Sequence, residues 1–334
     1  MRVLVTGGLG YVGQAVTTRL LEAGHEVTVL TRRRPTELPE PPTGATLLEG
    51  DLRDRDGIAA TVGSHDFDGV CHLAGRARVR ESFQDPVGYF DTNTSGTVNL
   101  LRAFAAPAQP TRRVSRLVFA STIAVYGEPN GRRLDETCPT APTSPYGASK
   151  LAAEQVIAYQ AATSALGAVS LRAFAVAGAV GRHGDPDLSR IIPKALAVAG
   201  GLAPHVEING DGSAVRAFTH VADIAEAYLL ALEAAQPGKH LVYNVGAGDA
   251  VTVNEVLDTV QAVTGRRIPI VRRPAQPEPA SLRVASQRIE QELGWQPARS
   301  TLRQIVEDGW AALAAPELAR RGVAPRGDPT SQGR

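Results

Sequence analysis

The apolar run Val3–Thr6 ends directly in Gly7-Gly-Leu-Gly-Tyr-Val-Gly13. Beyond it, apolar residues recur at 12, 15, 16, 20 and 23, a helical period. A buried strand, a glycine turn and an amphipathic helix in immediate succession are compatible with few folds. The glycines at 7, 10 and 13 fall where the chain must reverse tightly and where backbone must approach another group closely. The helix then presents unpaired amides and the positive end of its dipole at the turn, which suits an anion such as a pyrophosphate.

The same grammar repeats downstream. Val27–Leu30, Thr46–Leu48, Gly69–Leu73, Leu117–Ser121 and Val169–Phe174 are short apolar runs that read as buried parallel strands. Helical patterns separate them, the longest at Val87–Ala106 and Gly147–Ala165. Alternation of this kind predicts an α/β fold, a Rossmann-type doubly wound parallel sheet with helices on both faces. We place this dinucleotide-binding domain at residues 1–173.

After residue 173 the pattern changes. Gly178–Pro186 reads as a loop, 188–199, 221–235 and 253–263 as helices, and 205–208 and 241–245 as strands. Arg272–Pro279 is too rich in proline for a regular element. Residues 174–314 are therefore expected to form a smaller mixed α/β substrate lobe, with the strand near 241–245 returning to the sheet. The Pro/Gly/Arg-rich stretch 315–334 reads as a disordered tail.

The chain has 334 residues, 43% hydrophobic and 21% charged, with a net charge of +1. That balance, with no basic stripe, excludes a nucleic-acid-binding surface. No apolar run reaches the roughly 20 residues of a membrane span. The sequence begins on a strand without a signal-peptide pattern, as expected of a cytoplasmic protein. Cys71 and Cys138 suggest neither a disulfide framework nor a metal site.

The end of the second strand reports on the nucleotide. An acid about 20 positions past the glycines would bond the 2′-hydroxyl of NAD. Here the chain reads Thr31-Arg32-Arg33-Arg34, so NADP(H) is favoured, with Arg32 and Arg33 on the 2′-phosphate. The alternative is a solvated arginine run. Asp51, before Leu52, either bonds the adenine amine or caps the next helix.

Tyr146 and Lys150 share a helix face. A phenol, with a pKa of about 10, is a poor base at neutral pH. An adjacent ammonium and an oxidised nicotinamide both favour its ionised form. A hydroxyl from Ser121 or Thr122, at the carboxyl end of the strand from Leu117, completes a set suited to oxidising or reducing a carbinol.

These residues resemble the extended short-chain dehydrogenase/reductase family, nearest its UDP-glucose 4-epimerase subgroup. The resemblance runs from residue 1 to about 314. It rests on the glycine turn, His72-Leu-Ala-Gly75, Glu81-Ser-Phe-Gln-Asp-Pro86, Asn93-Thr-Ser-Gly-Thr97, Ser121-Thr122 with Tyr126-Gly127, Ser144-Pro-Tyr-Gly-Ala-Ser-Lys150, Val215-Arg-Ala-Phe-Thr-His-Val221, Tyr243-Asn-Val-Gly246 and Glu292-Leu-Gly-Trp-Gln-Pro297.

The resemblance implies that Gly7, Gly10 and Gly13, with Tyr11 and Val12, hold the pyrophosphate. Asp51 and Leu52 would contact adenine, Leu73, Ala74 and Gly75 would line the cofactor cleft, and Asn93 would support it. Tyr146 would be the base, Lys150 would bond the nicotinamide ribose, and Thr122 would shuttle the proton. Arg216 would bind the phosphates of a nucleotide sugar, the bland alternative being a surface ion pair. The helices near 87–106 and 147–165 would form a homodimer interface.

The chain departs from the family pattern at several positions. Thr31 replaces the NAD-binding Asp, Ala77 a cofactor-contacting Lys, Ala175 an Asn near the sugar diphosphate, and Arg190 a nucleotide-contacting Asn. The Arg-x-x-Asp pair expected near the base is blurred into Arg273–Glu278. Arg190, Arg216 and Arg273 remain as phosphate partners.

The leading expectation is a nucleotide-sugar 4-epimerase that keeps its cofactor bound and works through a transient 4-ketose. The alternative is an NADPH-dependent reductase of a nucleotide-bound 4-keto-deoxysugar. A dehydratase lacks its extra acid/base pair at Ile123-Ala124. A non-catalytic cofactor sensor is a minor alternative.

Overall fold

The structure, a computed structural model, describes residues 1–32, 40–105, 114–128, 133–247, 250–275 and 284–320. Its centre is a seven-stranded sheet. The strands are β1 (Arg2–Thr6), β2 (Glu26–Thr31), β3 (Thr46–Glu49), β4 (Gly69–His72), β5 (Arg116–Thr122), β6 (Gly167–Ala173) and β7 (His240–Val245). Their spatial order is β7-β6-β5-β4-β1-β2-β3, and every pair is parallel. The order reverses between β1 and β4, so a crevice opens there at the carboxyl ends of the strands, where ligands bind in this architecture.

Alternation along each strand feeds two cores. Val3, Val5, Val118, Val169 and Leu171 face one side with helices Tyr11–Glu22 and Val221–Ala234. Leu4 and Val70 face the other with helix Arg55–Gly63, and Leu117, Phe119 and Ala168 do so with helix Pro145–Ala162. Burial on both faces explains why the strands read as unbroken apolar runs.

The expected strands are all present, and the helices differ in detail. The long helix expected at 87–106 is interrupted. Pro86–Phe90 is α-helical, Asp91–Ser95 is a π turn, and Gly96–Ala105 resumes as α-helix. The widened turn brings Asn93 to the sheet edge, a use of π turns common at functional sites. The helix expected from 147 starts at Pro145, because Ser144 caps it by accepting from the Gly147 N–H at 3.1 Å and proline fits its first turn.

The chain after 173 does not keep to itself. Helix Val221–Ala234 and the segment with Ile289 and Trp295 join the core on the sheet. The remaining elements, including helices Ile191–Ala199 and Val253–Thr264, enclose a separate core of Ile192, Leu196, Val206, Ile208, Leu257, Val260 and Ile305. Arg272 and Arg273, expected to be irregular, end the strand Ile270–Arg273, which pairs with Val206–Asn209. The prolines begin only at Pro274, so the ladder survives up to that point. Helix Leu302–Arg320 runs past the tail boundary expected at 315, and residues 321–334 lie outside the described residues. Among the described residues no helix is long and apolar enough to cross a membrane.

One buried charge network braces β6 against helix Pro145–Ala162. The Arg172 guanidinium donates to both Glu154 oxygens at 3.0 and 2.7 Å and to the Tyr126 hydroxyl at 2.8 Å. Tyr126 in turn donates to Asn244 on β7 at 2.8 Å. Removing one partner leaves an uncompensated buried charge. Arg172→Met is therefore expected to cost about 3–5 kcal/mol, read as a lowered denaturant midpoint.

Candidate active site

β1 delivers Gly7 to the crevice with φ at +71°, a left-handed conformation that glycine adopts freely. A methyl group at Gly7 would lie 2.7 Å from the Ala74 nitrogen, and one at Gly13 only 2.1 Å from the Gly7 carbonyl oxygen. The turn and the loop Leu73-Ala74-Gly75 thus pack backbone against backbone. Gly10 is the N-cap of helix Tyr11–Glu22 and supplies no side chain to it. Thr6 fastens the loop: its hydroxyl accepts from the Ala74 N–H at 3.1 Å and meets His72 Nδ1 at 2.7 Å. His72 also meets the Thr97 hydroxyl, at 2.9 Å. Burial, and then the charge of Lys150, push the imidazole down to about 3, so it serves as a neutral brace.

At the far end of the crevice, Asp51 accepts from the Arg53 backbone at 3.0 Å and from its guanidinium at 2.7 Å. Those bonds hold its carboxyl below the usual range, assisted by the charge of Arg32. Helix Arg55–Gly63 is capped by Asp54 instead, which accepts from the Gly57 N–H at 3.0 Å. The capping alternative for Asp51 is thereby removed. Leu52 is buried, and its carbonyl accepts from Asn99 at 2.8 Å. Arg32 is exposed. Arg33 and Arg34 lie outside the described residues.

Thr122, Tyr146 and Lys150 converge beside this cradle, all buried. Thr122 ends β5, where its hydroxyl accepts from the Ala124 N–H at 3.2 Å and stands beside the Tyr146 phenol, drawing its pKa down. Ser121, the other hydroxyl considered, makes no such bond. Burial raises the Tyr146 phenol above its ordinary range, while Thr122 and the charge of Arg190 act against it. Lys150 Nζ sits 4.8 Å from the centre of the Phe119 ring and would be 3.1 Å from a methyl group at Gly75. Burial brings Lys150 down to about 8, with Glu154 opposing.

Asn93 locks the wall of the cleft. Its amide accepts from the Arg76 N–H at 2.8 Å and donates to the Arg76 carbonyl and the Ser149 hydroxyl, each at 3.0 Å. Ser149 donates to the Tyr146 carbonyl at 2.8 Å, so the cleft wall is tied to the helix that carries the phenol. Tyr11, behind the turn, donates to the Gly178 carbonyl at 2.9 Å and is half-buried.

The three expected phosphate partners fare differently. Arg190 precedes helix Ile191–Ala199, and its charge reaches Tyr146. Arg216 lies on the strand Val215–Arg216 and donates to the Val215 carbonyl at 2.8 Å. Arg273 is paired with Glu207 at 2.9 Å and is half exposed, so its charge is already answered on the neighbouring strand. The described part of Arg273–Glu278 ends at Ala275. Ala175, where an Asn was expected, is the one non-glycine residue among those described with positive φ, at 32°. Asparagine tolerates that region better than alanine. The sequence reading missed Asp185 and Asp187, which pair with Arg190. Their spacing carries no periodic signal and only the folded loops bring them together.

The adjacent buried Thr122 and Tyr146, the buried Lys150 and the glycine turn at a sheet switch point define a nicotinamide-dependent enzyme of the short-chain dehydrogenase/reductase type. The turn fits such a nucleotide, because Gly7, Gly10 and Gly13 put no side chain between the helix amides and a pyrophosphate, and the close packing at Gly7 and Gly13 leaves no room for one. Within that class, the chain belongs to the NAD dependent epimerase/dehydratase family, which it matches over residues 3–246. It is 40% identical over 324 residues to a UDP-glucose 4-epimerase of Corynebacterium glutamicum, covering 94% of this chain and 96% of that one. A UDP-glucose 4-epimerase of Streptomyces lividans is 43% identical over 319 residues, covering 92% and 95%. Among solved structures, the Stenotrophomonas maltophila UDP-glucose 4-epimerase with bound NAD and formylated UDP-arabinopyranose superposes with a TM-score of 0.84 at 32% identity. That match covers 96% of this chain and 99% of the other.

Proposed function

We propose that the protein is a UDP-hexose 4-epimerase that retains NAD through the catalytic cycle. The observation that carries this reading is the burial of Thr122, Tyr146 and Lys150 together at the carboxyl end of β5, beside the glycine turn. It stands in a chain similar over its length to UDP-glucose 4-epimerases. Tyr146 takes the proton of the sugar 4-hydroxyl as hydride leaves C4. Thr122 relays that proton when the 4-ketose presents its other face, because one phenol cannot meet both orientations equally. Lys150 holds the nicotinamide ribose, and Asn93 fixes the wall behind it. Arg216 binds the diphosphate, and residues 174–314 supply most of the sugar-facing surface. When bound, NAD supplies the hydride acceptor and returns the same hydride, so no net oxidation occurs.

The NADP preference drawn from Thr31–Arg34 finds no support in the NAD-bound relatives, and we assign NAD instead. The reductase reading keeps one observation in its favour, the absence of a carboxylate at Thr31 beside exposed Arg32. Denaturing the purified protein and identifying the released nucleotide separates the two. Stoichiometric NAD(H) is expected, whereas an empty protein that prefers NADPH overturns the epimerase reading.

Lys150 is charged below about 8 and neutral above. A ribose held by an ammonium should therefore be released more readily as pH rises through that value. Nucleotide retention across this range should fall in the wild type and be weak and flat in Lys150→Met. A homodimer is also proposed. Phe83 and Val87 are 61% and 78% exposed, in and beside short helices packed on helix Pro145–Ala162. Light scattering is expected to give twice the chain mass, and the chain mass for Phe83→Asp with Val87→Glu.

A further inference from the structure

A chain of alternating charges closes one side of the catalytic cleft. Arg190 Nη1 lies 2.9 Å from Asp185 Oδ2, and its Nε 3.8 Å from Asp187 Oδ2. The same Asp187 oxygen lies 3.6 Å from Arg78 Nε. Asp187 also accepts from the Ser189 hydroxyl at 2.7 Å, and its own N–H donates to Asp185 at 3.0 Å. The carboxylates are sunk, with side chains 5% and 15% exposed, while the guanidinium groups of Arg190 and Arg78 are 44% and 65% exposed.

The quartet joins two parts of the chain beside the phenol. Arg78 belongs to the loop after β4. Its N–H donates to the Tyr89 hydroxyl at 3.2 Å, which donates back to the Arg78 carbonyl at 2.7 Å. The Tyr89 ring meets the Tyr146 ring edge-on, with centroids 6.3 Å apart. Asp185, Asp187 and Arg190 come from the segment leading into helix Ile191–Ala199. None of the four has a part in the proton chemistry described above.

We propose that Arg78, Asp185, Asp187 and Arg190 form the element that selects the sugar, reading the ring hydroxyls of a neutral hexose and disfavouring a hexuronate. Each sugar hydroxyl needs both a donor and an acceptor, and an alternating guanidinium–carboxylate row supplies both in fixed positions. A hexuronate carboxylate would need a guanidinium fork to itself. Both forks already face carboxylates, and two further negative charges would stand beside it. This assignment names the sugar class for the proposed 4-epimerase and rests on that reading.

The test compares UDP-galactose with UDP-galacturonate on the full-length, nucleotide-loaded enzyme. Wild type is measured first, and failure to turn over UDP-galactose removes the epimerase reading together with this one. Given wild-type turnover, Asp187→Asn is expected to lower kcat/KM for UDP-galactose about tenfold and to raise the uronate-to-hexose ratio by a similar factor. Calorimetric affinity for UDP alone should stay within about twofold, because the quartet faces the sugar. Arg78→Gln, at a side chain 65% exposed, should also lower kcat/KM for UDP-galactose. Variants that keep the wild-type ratio and kcat/KM would show that the quartet only ties the two segments together, and would overturn the assignment. A loss of UDP affinity equal to the loss of kcat/KM would overturn it too, in favour of a nucleotide contact.

Discussion

Tyr146→Phe is expected to leave the protein folded and carrying its nucleotide while turnover falls about 10³-fold. The phenol hydroxyl is the only atom removed, and its ring contacts with Tyr89 are retained. The hydroxyl sits where a proton must be taken up, beside Thr122 and on a buried side chain. Burial alone keeps the phenol protonated in the free protein, so its basicity depends on positive charge brought in with the nicotinamide. The variant should thus lose kcat with little change in KM or nucleotide content. Thr122→Ala should lose less, since Tyr146 still reaches one orientation of the sugar. Single-turnover kinetics with nucleotide content measured in parallel checks both. Turnover in Tyr146→Phe close to wild type would remove the phenol from the mechanism.

The second large effect is expected at the glycine turn. Gly13→Ala should yield a protein nearly free of nucleotide and lowered in thermal midpoint. The added methyl group would stand 2.1 Å from the Gly7 carbonyl oxygen and 2.8 Å from the Gly8 Cα. Both are backbone atoms, so neither can move aside without opening the turn that brings the helix amides to the pyrophosphate. Gly63→Ala is the matched control. A methyl group there meets nothing within 4 Å, and nucleotide content should equal that of wild type.

The parallel sheet was legible because its strands are buried on both faces and its helices on one. Both patterns are periodic in the residues themselves, and so was the pairing of Tyr146 with Lys150. What escaped the sequence was set by contacts between distant segments. The break in the helix at 91–95 follows from the amide of Asn93 reaching Arg76 and Ser149, neither of which is near it in sequence. The surroundings of the Lys150 ammonium, over the Phe119 ring and against Gly75, are likewise set by segments distant in sequence. Arg190 read as a phosphate partner because arginine is a generic anion binder. Its neighbours Asp185 and Asp187 show that its charge is shared. Arg273 read the same way, and Glu207 on the adjoining strand answers it.

The account turns on a redox-neutral cycle. The most direct measurement is to incubate the protein as purified with UDP-galactose and no added nicotinamide, following the anomeric protons by NMR. The account predicts that UDP-glucose accumulates to a constant ratio over many turnovers, with no lasting absorbance from reduced nicotinamide. Conversion that stops after one equivalent, or that proceeds only when NADPH is supplied with a 4-keto sugar nucleotide, would contradict it.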